Sequence, residues 1–77
     1  MNTEEKVIAA LQQLLKKELP MTQETRLRDD LGMDSMNLVE LTVLVHSLYG
    51  VDLGRKSAEL KLIPETVGDL VTLVSAA

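Results

Sequence analysis

The sequence predicts an all-α fold: a four-helix bundle of three main helices and one short third helix, with a long loop between helices one and two. Three observations carry that expectation. Apolar residues recur at helical spacing in three separate stretches. Each stretch opens after a residue able to cap a helix, at Asn2, Asp34 or Thr66, and the first two stop at Pro20 and Gly50. The 77 residues include no Trp, Phe or Cys, so the core must be built from Leu, Val, Ile and Met on closely packed helices, without disulfides.

The first helix is expected over residues 3–19. Val7, Ala10, Leu11, Leu14 and Leu15 form one stripe of a 3.6-residue period, and Asn2 followed by Glu5 has the form of a capping box. Lys16 and Lys17 suit the negative end of the helix dipole, and Pro20 closes the segment. From Met21 to Asp34 the periodicity dissolves, with Leu27, Leu31 and Met33 spaced as anchors. A loop of that length is either functional or tied down by its own apolar residues, so Leu27 and Leu31 are expected to plug into the core, with Gly32 supplying a turn.

The second helix is expected over 35–49, closed by Gly50. At 100° per residue, Leu38, Leu41, Val45, Leu48 and Tyr49 make one apolar stripe, which should face the core. Met36, Val39 and Val43 fall on a different side. One stripe is enough to bury a helix, so this second set is either covered by another element or left exposed as a contact surface beginning beside Ser35. Beyond it, Val51 and Leu53 read as anchors and Gly54-Arg55-Lys56 as an exposed turn. Ser57 to Leu62 reads as a short helix broken by Pro64. A last helix is expected over 65–75, with Val67, Leu70, Val71 and Val74 on one side and an imperfect capping box at Thr66 and Asp69.

The size fits one domain, residues 1–77. A net charge of −4 argues against a nucleic-acid partner and for a basic protein surface. No apolar run approaches the roughly 20 residues of a membrane span, and the first residues are too polar for a signal peptide. A cytoplasmic monomer is the expectation. Without cysteine there is no thiolate metal site and no protein thiol nucleophile. His46, the only histidine, lies about 16 Å of helix rise from Ser35, too far to act as its base. A serine hydrolase is therefore not expected. Asp29, Asp30 and Asp34 lack the alternating spacing of a calcium loop.

The chemistry concentrates at Leu31-Gly32-Met33-Asp34-Ser35-Met36. A serine hydroxyl at a helix start lies where unpaired N–H groups and the helix dipole favour an attached anion. Asp34-Ser35-Met36 resembles the Asp-Ser-Leu prosthetic-group site of acyl and peptidyl carrier proteins. The long preceding loop, Tyr49-Gly50-Val51 and Thr66-Val67-Gly68-Asp69-Leu70 extend the resemblance to nearly the whole chain.

The resemblance implies a four-helix carrier-protein bundle that has no catalytic residues of its own. Ser35 would carry 4′-phosphopantetheine, placed there from coenzyme A by a phosphopantetheinyl transferase. Asp34 would help position magnesium and coenzyme A in that transfer. Met36, Val39, Glu40 and Val43 would meet partner enzymes, such as acyl-loading enzymes or a ketosynthase. Two departures stand out. His46 and Ser47 replace the acidic residues usual near the end of this helix, which weakens charge steering. The segment 51–66 also looks longer than in compact fatty-acid carriers, which leaves the cargo pocket open. The first departure favours a dedicated carrier with few partners over the central fatty-acid carrier; a polyketide or mixed polyketide–nonribosomal peptide pathway is the expectation, ahead of a fatty-acid or aminoacyl carrier. A helical interaction module with no modification is the reading from a different class.

Overall fold

The computed structural model describes residues 2–76, which contain four helices: α1 (Thr3–Leu15), α2 (Ser35–Tyr49), α3 (Leu53–Leu60) and α4 (Val67–Ser75). α1 packs against α2 and α4, and α3 closes the bundle against the same two helices. Leu11 of α1, Leu41 of α2, and Val67, Leu70 and Leu73 of α4 are fully buried where they meet, together with Leu27 from the long loop. The all-α bundle expected from the sequence is what the chain forms.

The helix ends differ from the sequence expectation where a single backbone conformation outweighs periodicity. α1 stops at Leu15 rather than at residue 19, because Lys16 turns left-handed (φ 56°). Asn2 caps its start, accepting from Glu5 N at 2.8 Å. Gly54-Arg55-Lys56 is not a turn but the opening of α3. Asp52 caps this helix by accepting from Arg55 N at 3.1 Å, Leu53 is buried just inside it, and Arg55 and Lys56 both pair with Glu59. Those contacts offset the helix cost of a glycine, about 1 kcal/mol. Lys61 (φ 53°), not Pro64, ends α3, and the Ser57 hydroxyl donates to Leu62 O at 2.6 Å to close that end.

α4 begins at Val67 rather than at residue 65. The Thr66 side chain accepts from Asp69 N while Asp69 accepts from Thr66 N, so the box at this end is complete. Leu48, expected in the core stripe, is 45% exposed in the last turn of α2. Helical angle alone does not reveal where neighbouring helices stop covering a face.

Candidate functional site

The segment before α2 is held at both ends by burial. Leu27 and Met33 are buried, and Leu31 is half-buried and packs against the same core, so all three anchor the loop, Leu31 less deeply than the other two. Between them the chain coils tightly: Asp30 N and Leu31 N both donate to Arg26 O, and Gly32 N donates to Arg28 O at 3.0 Å. The Asp30 carboxylate accepts from the Arg26 backbone N–H at 2.8 Å and from its guanidinium at 3.1 Å. The Arg26 side-chain hydrogen bond, followed by the backbone one, holds the Asp30 carboxyl below its ordinary value of 3.8. Gly32 (φ 69°) then reverses the chain in a conformation costly for any residue with a Cβ, and Met33 N donates back to Leu27 O at 3.0 Å.

A second set of bonds ties this loop to the far end of the chain. Leu27 N donates to Glu65 O, Val67 N to Thr25 O and Gly68 N to Gln23 O at 2.8 Å. A Cβ at position 68 would lie 2.9 Å from Gln23 O, so only glycine permits this approach. The start of α4 thus fixes the loop that delivers the start of α2.

At that start Asp34 is the cap. Its Oδ1 accepts from Asn37 N at 2.9 Å, and Asn37 Oδ1 accepts from Asp34 N at 3.2 Å. Ser35 is the first helical residue and is exposed. Because Asp34 and Asn37 make the capping bonds, the Ser35 hydroxyl is not needed to hold the helix end. It sits beside the first-turn N–H groups and the positive end of the dipole, which suits an oxygen bearing a phosphodiester. The residues present therefore fit a covalently attached phosphate-linked group.

Along α2 from that serine, Met36 (70% exposed), Val39 (64%) and Val43 (64%) point away from the core, and Glu40 is exposed among them. Leu41 and Val45 are buried on the opposite side, half-buried Leu38, Leu44 and Tyr49 pack against the core, and the Tyr49 hydroxyl donates to Lys6 O at 3.1 Å. His46 is exposed, eleven residues beyond the serine, and takes no part in the site.

A cavity of about 200 Å³ opens between α2 and α3, lined by Leu38, Leu41, Leu53 and Leu70, with Val39 and Ile63 also on its walls. The sequence reading passed over Ile63, which is 80% exposed. Its one sequence signal was an isoleucine outside every helical stripe, directly before a proline.

With this geometry in place, the comparisons with known proteins are consistent. The profile of the family described as "Phosphopantetheine attachment site" matches residues 5–74. The acyl carrier protein of Thermotoga maritima is 33% identical over 79 aligned positions, spanning 96% of this chain and 94% of that protein. A solved structure described as that of an acyl carrier protein from Mycobacterium tuberculosis superposes with a TM-score of 0.80 at 29% identity, covering 96% of each chain.

Proposed function

Because the chain belongs to the phosphopantetheine-attachment family, among its acyl carrier proteins, we propose that Ser35 is the residue that receives the arm and that Asp34 supports its attachment. As a member of that family the protein is a carrier and not a catalyst, and its prosthetic group is covalent 4′-phosphopantetheine. This also removes the unmodified interaction module. A phosphopantetheinyl transferase and the enzymes of a biosynthetic pathway are its partners in kind.

One observation carries the assignment: Ser35 is an exposed first-turn serine whose neighbours, Asp34 and Asn37, relieve it of the capping role. In attachment, Ser35 Oγ would form a bond to the phosphorus bearing the pantetheine arm as the pyrophosphate P–O bond of coenzyme A breaks; adenosine 3′,5′-bisphosphate leaves, and the serine proton passes to a base of the transferase or to water. The carboxylate of Asp34 lies beside it in sequence, with Oδ1 on the helix end, and its charge would help hold the magnesium and coenzyme A brought by the transferase. The first-turn N–H groups of α2 then stabilise the phosphodiester charge. Once bound, the arm supplies a terminal thiol on which an acyl group is held as a thioester.

Residues 1–77 act as one carrier domain, a cytoplasmic monomer, in a polyketide or mixed polyketide–nonribosomal peptide pathway. One feature supports that choice over a central fatty-acid carrier: the last two turns of α2 carry no carboxylate, which suits few dedicated partners. A ketosynthase or acyl-loading enzyme is then the expected recipient of the loaded arm.

The test is direct. Wild-type protein incubated with coenzyme A, magnesium and a broad-specificity transferase gains one phosphopantetheine in intact mass, and Ser35→Ala gains none. A modified Ser35→Ala chain would move the site elsewhere.

A further inference from the structure

We infer, resting on the carrier reading above, that Gly54 is a specificity-determining residue. It is glycine for the cargo and not for the fold, and its bare backbone is where an apolar acyl group passes between α2 and α3. Glycine is a poor choice inside a helix unless something requires it, since its freedom in the unfolded chain is lost with no side chain to bury. Nothing in the fold requires it here. Gly54 lacks the left-handed φ of Gly32 and Gly50, and a Cβ built on it meets only Asp52 Oδ1, at 3.5 Å, an ordinary contact. Gly68 is the contrast, where a Cβ would run into Gln23 O at 2.9 Å. Alanine would fit at position 54 and suit the helix better. Where a local rule is broken with no structural gain, function is the usual cause.

Its place says which function. Leu53, Gly54 and Ser57 form the α3 wall of the α2–α3 cavity and span about 100° of the helix, with Gly54 at one edge. Leu53 is buried and Gly54 exposed, so the glycine stands at the mouth. On the other wall Leu38 and Val39 line the same cavity, one turn of α2 beyond Ser35. Behind the mouth the lining is Leu41, Leu53 and Leu70, all buried. The two hydroxyls on the walls, Thr42 and Ser57, already donate to Leu38 O and Leu62 O, so the interior is hydrocarbon in character. A group tethered to Ser35 thus meets, within one turn, an apolar recess whose α3 edge carries no side chain. The occupant is the chain's own thioester-linked acyl tail, which gains by leaving water, and any side chain at position 54 would stand in its way.

The experiment loads wild type, Gly54→Ala, Gly54→Leu and Ala58→Gly from octanoyl-coenzyme A with a broad-specificity transferase. Two quantities are read on each chain: the rate at which hydroxylamine releases the octanoyl group, by intact mass, and the change in melting temperature on loading. In wild type, release is expected to be slower than from octanoyl-coenzyme A itself. Loading is expected to raise the melting temperature, because a group held only by the folded state stabilises it. Gly54→Leu is expected to release at least about threefold faster than wild type and to lose the rise on loading, with Gly54→Ala between them. Unloaded, both should melt at or above wild type. Ala58 is exposed on the same helix and off the cavity wall, so Ala58→Gly should melt lower yet protect the thioester as wild type does. Release as fast from wild type as from octanoyl-coenzyme A, or equally fast from wild type and Gly54→Leu, overturns the inference. So does an unloaded Gly54→Ala that melts below wild type, or lost protection in Ala58→Gly. A wild-type chain that gains no mass overturns attachment at Ser35 itself, which keeps the two failures distinguishable.

Discussion

Asp34 and Asn37 hold the first turn of α2 by two reciprocal bonds, Asn37 N to Asp34 Oδ1 at 2.9 Å and Asp34 N to Asn37 Oδ1 at 3.2 Å. The arrangement gives Asp34 two separable duties, since a cap needs only an acceptor oxygen whereas a magnesium site needs the charge. Asp34→Asn keeps the acceptor and loses the charge; Asp34→Ala loses both. The expected result is that Asp34→Ala lowers stability by about 1 kcal/mol and Asp34→Asn by much less. Both should slow phosphopantetheine transfer, as followed by intact mass over time. Asp34→Asn modified at the wild-type rate would leave this residue a cap only.

The Gly68–Gln23 contact carries a prediction far from the serine. In Gly68→Ala the new Cβ would meet Gln23 O at 2.9 Å, so the loop must move away and the 2.8 Å bond from the residue 68 N–H is stretched or lost. Overpacking of this kind costs about 1–3 kcal/mol. For a domain of this size each kcal/mol lowers the melting temperature by about 4–8 °C. Thermal melts check the cost, and amide exchange at residues 22–34 should rise with it. A variant that melts with wild type would show that the loop is not held by this contact.

These two cases also show what the sequence discloses and what it withholds. The start of α2 was legible in Asp34 and Ser35 because capping is a local matter of side-chain oxygens and nearby N–H groups, whereas the reciprocal bond from Asn37 shows only in the structure. The bond from Gly68 to Gln23 was not, because it joins residues 45 positions apart and leaves no local pattern. α3 was misplaced for a related reason: Gly54-Arg55-Lys56 has turn composition, but the buried Leu53 and the Asp52 cap decide the matter in three dimensions. Ile63 went unnoticed because exposure of a lone residue in a connection depends on what surrounds it.

The pairing of Arg26 with Asp30 makes loop stability depend on pH. The folded-state Asp30 carboxyl sits below its ordinary value of 3.8, first through the Arg26 side-chain hydrogen bond and then through the backbone one. A depressed carboxyl stabilises the fold fully above the unfolded value and loses that contribution as pH falls through the lowered folded value. Wild type should therefore lose stability relative to Asp30→Asn as the pH drops below about 4, and the two should keep a constant difference from about pH 5 to 7. Denaturant melts across that range check the sign. Because both side chains are exposed, the effect should shrink in high salt. A gap that widened on acidification would contradict the assignment.

The two sides of α2 should answer oppositely to substitution. Leu41 is 1% exposed, whereas Val39 and Val43 are each 64% exposed. Leu41→Ala should cost about 2–5 kcal/mol, because removing buried carbons leaves a cavity the neighbours cannot fill. Val39→Asp and Val43→Asp place a charge in water and should change stability by no more than about 0.5 kcal/mol. If that side of the helix meets partner enzymes, the same two variants should slow phosphopantetheine transfer and acyl loading, because a partner must then desolvate a carboxylate with no cation opposite it. Denaturant melts and transfer rates, measured on all three variants, separate the outcomes. Val39→Asp and Val43→Asp unfolding like Leu41→Ala would make their side part of the core. Stable variants that load at wild-type rates would leave the exposed stripe without a role in recognition.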